Sequence, residues 1–208
     1  MQAARDLFLR HGYAATGIDQ VCAAVGATKG ALFHYFDSKE ALGCAVLEAW
    51  VRDAGRAIGS GDYLRIDDPL ERALGYIDFM IEISRVGPPG CIVGIFSQEL
   101  APSNETVRAG CAEAFSRWRE TLEPILTEAK AKHAPHAAFD PAGLAQHSIA
   151  VLQGALILAR AYRRPEIVGE QLAHYRSYVV ALFEAGARAP ERQRGRRGAR
   201  KQTPIGRS

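Results

Sequence analysis

Thr28, Lys29 and Gly30 stand side by side shortly after the glycine at position 26, and their types suit one job, the grip of a polyanion. A threonine at a helix N-terminus offers its hydroxyl and the free backbone N–H groups of the first turn to a phosphate. A lysine one residue on reaches phosphate or the edge of a guanine, and a glycine lets a helix approach bases closely. A second chemistry is suggested by the Gly90-Cys91 step. A cysteine in the first turn of a helix lies at the positive end of the dipole, which lowers the thiol pKa and favours a reactive thiolate; the same residue also reads as a small buried thiol that fills space. A third candidate, His133, His136 and Asp140, has metal-ligand types but falls in an Ala/Pro-rich connection without helical register, so a solvated loop is the better reading and no metal is expected. No GxSxG, P-loop or strand-borne GxGxxG occurs, so the chain is not expected to be an enzyme.

These residues need helices to present them. Thr16 is expected to cap a first short helix carrying Ile18, Val21, Cys22 and Val25, which Gly26 stops. Thr28 caps a second, Lys29 to Tyr35, with Leu32 and Phe36 turned inward, and Ser38 caps a third with Glu40 in its first turn. Helix, glycine turn, helix is a helix-turn-helix, whose second member has the dimensions to enter a major groove. Ahead of it, Met1 to His11 forms a helix ended by Gly12.

Behind it, Lys39 to about Gly59 forms a long helix, and Asp68-Pro69 opens another to about Val86. Gly87-Pro88-Pro89-Gly90 breaks the chain. A short helix follows over GCIVGIFSQELA, then a long one from Asn104 to about His133, in which Pro124 is expected to kink or break the ladder. Asp140-Pro141 starts a helix to about Tyr162, and Pro165 to Ala187 a last one. The fold class is all-α, about nine helices, with domains at 1–47, 48–188 and a tail at 189–208.

The 208 residues are 48% hydrophobic, ample for a small domain and a larger one. No apolar run of membrane-spanning length and no signal-peptide layout is read, so the protein is expected in the cytoplasm. Cys22, Cys44, Cys91 and Cys111 show no CxxC pairing, hence neither a disulfide framework nor zinc, and no cofactor is expected. The net charge is +3, yet Pro190 to Ser208 holds seven basic side chains against Glu191, so the body carries a net −3. Bulk charge therefore does not drive DNA binding, and a few placed groups must. The tail itself has the composition of a disordered, solvated charge run.

GATKGALFHYFDSKEAL, preceded by LFLRHGYAATGID, resembles the DNA-binding domain of the TetR family of transcriptional regulators, without a gap from about Ala3 to Leu47. The resemblance implies an all-helical homodimer that reads a palindromic DNA operator as a repressor and is released by a small-molecule effector held in the larger domain. It implies that Phe33 faces the bases, where members usually have tyrosine, and that Thr16, His34, Tyr35 and Lys39 face the backbone. Members usually carry at least another turn before Met1, often with a basic arm, so either that arm is absent or the start is displaced. Gly90-Cys91 is similar to one subset with a Gly-Cys step at this helix, which leaves an electrophile or redox sensor as one alternative; a DNA-binding dimer with no effector is the other. Effector contacts are expected from Phe79, Ile83, Cys91, Phe96, Phe115, Trp118 and Gln153, all equally readable as core. The dimer is expected to use the last two helices through Ile149, Leu152, Leu156, Ala159, Tyr175, Val179, Leu182 and Phe183.

Overall fold

The boundaries of the helices are written in local chemistry. In the computed structural model, which describes residues 1–87 and 90–188, the elements are α1 (Gln2–His11), α2 (Ile18–Val25), α3 (Lys29–Tyr35), α4 (Lys39–Gly59), α5 (Pro69–Val86), α6 (Ile92–Glu99), α7 (Glu105–His133), α8 (Pro141–Tyr162) and α9 (Ile167–Arg188), with a 3-10 turn at Asp62–Arg65. The fold is all-α. Pro88, Pro89 and the basic tail lie outside the described residues. Thr28 accepts from the Ala31 amide at 3.1 Å, Ser38 from Ala41 at 3.1 Å, Asn104 from Val107 at 3.1 Å and Asp140 from Gly143 at 2.8 Å. Each bond satisfies a donor that the helix itself leaves orphaned. Gly26 closes α2 at φ +64°, the left-handed conformation that favours glycine.

One expectation fails here, and one half of another. Thr16 does not cap α2: Gly17 does, and its amide donates to the Gln20 side chain at 2.7 Å. Pro124 does not break α7, which runs unbroken through it. Leu122 on one side and Ile125 and Leu126 on the other are all buried, and that packing holds both flanks in register across the missing N–H.

The apolar stripes gather into two cores. The larger lies among α5, α7, α8 and α9, around Tyr76, Ile77, Leu126, Leu152, Tyr175 and Val179. The smaller joins α1 to α4 with α6 and the start of α7, so packing does not divide at residue 47. Its centre is an aromatic trio: Phe8 and Phe96 stand 5.7 Å apart edge to face, and Tyr13 lies 5.3 Å from Phe8 and 5.5 Å from Phe96. The short helix α6 thus forms part of the floor beneath the helix-turn-helix.

The residues assigned to the dimer from sequence are mostly spent inside the chain. Ile149, Leu152, Ala159, Tyr175, Val179 and Phe183 are buried in the single protomer, and Leu156 and Leu182 are half-buried against the core. What α8 and α9 leave open is the opposite stripe, with Ile157, Leu158, Tyr162 and Tyr178 exposed. Apolar character on both sides also gives α8 the length and composition to cross a bilayer, although no uninterrupted apolar run of that length occurs in it. Its inner residues Leu144, Ala145 and Leu152 are nevertheless packed in the protein core.

Candidate nucleic-acid interface and ligand cleft

α3 buries one residue, Leu32, and turns the rest of its surface outward. Thr28, Lys29, Gly30 and His34 are exposed, Phe33 is 43% exposed and Tyr35 78%. Two large aromatic side chains left in water on a two-turn helix need a partner surface to account for them. His34 and Tyr35 pack edge to face at 5.3 Å.

The cations on this face are held rather than free. Lys29 Nζ lies 2.9 Å from Asp19 Oδ1, and its pKa is raised by that hydrogen bond and charge. Lys39 Nζ sits 4.2 Å over the Tyr13 ring and 3.5 Å from the Ala14 carbonyl; partial desolvation lowers its pKa. Tyr13 below it is buried, and the loss of solvent, with Glu40 and Cys44 adding, pushes its phenol up to about 12. Thr16 does not belong on this surface. It is 0% exposed, and its hydroxyl donates to the Gly12 carbonyl at 2.7 Å, which ties the α1–α2 turn together.

Behind α4 opens a cleft of about 1660 Å³ bordered by α1 and α4 to α9, with an apolar wall that includes Leu47, Trp50, Ile83, Val93, Trp118 and Leu156. An apolar concavity with sparse polar groups is the usual form of a small-molecule site. A gap inside the larger core, between Tyr76, Trp118 and Tyr175, measures about 10 Å³, enough for no more than a water. Of the residues expected to meet an effector, Ile83, Cys91 and Trp118 border the cleft. The other four do not. Phe96 belongs to the aromatic trio, Phe79 packs 5.6 Å from Tyr63, and Phe115 leans on the smaller core. Gln153 pushes its Oε1 against Gly94, and its Nε2 is buried with no partner among the described residues.

Cys91 is the N-cap of α6 rather than a first-turn residue, and it is buried. Desolvation pushes its thiol up and outweighs the Gly94 and Val93 amides and the Gln153 side chain, which act the other way. The helix terminus therefore does not yield the thiolate that its position suggested. His133 and Asp140 are also otherwise engaged. His133 Nε2 lies 2.7 Å from Asp68 Oδ2, and Asp140 caps α8.

Two long-range bonds tie α6 and α8 to the helix-turn-helix end. Glu99, at the last residue of α6, accepts from the Ala14 amide at 2.7 Å. Arg160, near the end of α8, donates through Nη2 to the Leu9 carbonyl at 2.5 Å. Neither was legible in the sequence, because the partners lie 85 and 151 positions apart.

A family model described as bacterial regulatory proteins, tetR family, matches residues 1–46, and one described as tetracyclin repressor-like, C-terminal domain, matches 69–175. The HTH-type transcriptional repressor DhaR of Mycobacterium sp. (strain GP1) is 28% identical over 179 residues, 86% of each chain. The transcriptional regulator AcuR of Cereibacter sphaeroides is 28% identical over 157 residues, 74% of this chain and 72% of its own. Among solved structures, a regulatory protein TetR from Rhodobacter sphaeroides superposes with a TM-score of 0.74 at 25% identity, covering 85% of this chain and 95% of that one.

Proposed function

The chain belongs to the TetR family of bacterial regulatory proteins and is a DNA-binding transcriptional regulator, and on that premise we propose that it represses by gripping a palindromic operator as a dimer. The observation that carries the reading is the outward face of α3, where Thr28, Lys29, Gly30, Phe33, His34 and Tyr35 are all exposed around a single buried anchor. Thr28 and the first-turn amides take a phosphate, and Lys29 a phosphate or guanine edge. Phe33 offers an apolar face to a thymine methyl, while His34, Tyr35 and Lys39 fix register on the backbone. Lys39 leaves the Tyr13 ring to do so.

A second copy would dock on the outer stripe of α8 and α9. Ile157, Leu158 and Tyr178 supply apolar area there, and a Cβ on Gly154 would meet nothing within 4 Å, so another helix has room to come close. The effector would enter the cleft and favour the conformation in which the two α3 helices no longer match successive grooves, roughly 34–36 Å apart per turn. Buried Cys91, with its raised thiol pKa, gives the alternative of a thiol sensor no support.

Retardation of DNA from beside the protein's own gene tests the reading. Binding is expected to fall steeply with salt, and Tyr35→Phe and Lys39→Ala are each expected to weaken it on every sequence. Unchanged affinity and salt slope in both variants would remove the assignment.

A further inference from the structure

The charges around the cleft are unequally satisfied. Seven arginines and four carboxylates border it. Three of the carboxylates already hold an arginine: Asp53 holds Arg56, Glu105 holds Arg108 and Glu113 holds Arg117. Glu48 stands one turn before Arg52 on α4. Arg5 pairs with Asp6 and Arg85 with Glu82. Arg10, Arg52, Arg160 and Arg163 have no carboxylate within ion-pair distance among the described residues; Arg10 donates to the Asp6 carbonyl of its own helix, and Arg160 alone of the four reaches across to another helix. The only bond Arg160 makes there is to the neutral Leu9 carbonyl, at 2.5 Å. The contact packs closely over Gly90: a Cβ there would stand 3.3 Å from both Arg160 Nη2 and Leu9 Cδ2, so a larger residue would shift them by a few tenths of an ångström.

Apolar walls and an exposed guanidinium that holds no carboxylate describe a ligand. We propose that the cleft takes an amphipathic organic anion, an apolar body bearing one carboxylate, whose head binds Arg160 in place of the Leu9 carbonyl. The inference rests on the cleft being the effector site. A carboxylate accepts from a guanidinium through two parallel bonds, each stronger than one to a neutral carbonyl, so the exchange runs toward the ligand. The same exchange cuts a direct tie between α8 and α1. Ligand binding and release of the DNA-binding end are then one event at one side chain, with the second tie, Glu99 to Ala14, left to be strained.

Calorimetry on the full chain with two matched probe pairs, octanoate against octanamide and 2-naphthoate against 2-naphthamide, tests this. At least one carboxylate is expected to bind about tenfold or more tightly than its amide, the scale of a charge-assisted bond. Arg160→Gln is expected to erase that preference while amide affinity stays within about twofold, and Arg160→Lys, which guards against a folding defect, to keep part of it. Equal affinity within both pairs, binding of neither pair, or a preference that survives Arg160→Gln would overturn the proposal. DNA retardation of the unliganded protein is read separately. A protein that shifts DNA but shows no carboxylate preference remains a regulator without this ligand class, whereas a preference without DNA binding would do the reverse.

Discussion

At the scale of single residues, the DNA-facing surface is defined as much by who holds each cation as by where it sits. Lys29 is paired to Asp19 across the α2–α3 turn, in water. Asp19→Asn is expected to tighten binding to operator by about two- to fivefold, the range of an exposed ion pair, as measured by anisotropy at fixed salt. Asp68 is the other charge that matters. Lys132 beside it, then the Glu71 amide, then His133 and the Leu70 amide hold its carboxyl well below the ordinary carboxylate range. A depressed folded-state value contributes stability above the unfolded value, near pH 4, and loses it as the pH falls through the folded one. The melting temperature of Asp68→Asn, which keeps a capping oxygen but no charge, is therefore expected to lie below that of the natural protein at pH 6 and to converge on it below about pH 4.

At the scale of elements, α6 is the piece on which the rest turns. It has eight residues, with Cys91 at the cleft, Phe96 in the aromatic trio and Glu99 on the α1–α2 turn. Phe96→Ala is expected to cost about 3–5 kcal/mol in chemical denaturation, since the ring is fully buried between α1 and the body. Glu99→Ala is expected to spare the fold and speed hydrogen exchange at the Ala14 amide by about tenfold, the worth of one bond to a charged acceptor. Capping is the reason the helices were legible in the sequence: Thr28, Ser38, Asp68 and Asp140 act on amides two or three residues away. Thr16 misled because the same hydroxyl serves a turn as readily as a cap, and here the Gly12 carbonyl took it. Pro124 misled because local propensity yields to packing on both flanks. The inner and outer stripes of α8 were confused because both obey the same helical spacing, and only the neighbours decide which is core. Arg160 escaped notice because its significance lies in an empty ion-pair position and in a carbonyl 151 residues away.

At the scale of the whole molecule, the open stripe of α8 and α9 is the surface we propose for the assembly. Ile157→Asp is expected to give a monomer by sedimentation, with far weaker operator binding, because a lone subunit presents half the phosphate contacts and a buried carboxylate at the seam is costly. The charge distribution adds a further point. The body of the chain is net acidic, and the lysine at the tip of its reading helix carries its own counter-ion in Asp19. Random sequence along a chromosome would have to displace that partner without the reward of base contacts, so the molecule should linger little on the wrong sites. A shorter dwell on background DNA is expected to speed the search for the few addresses that count, by no more than the few-fold worth of one exposed carboxylate beside one ammonium group.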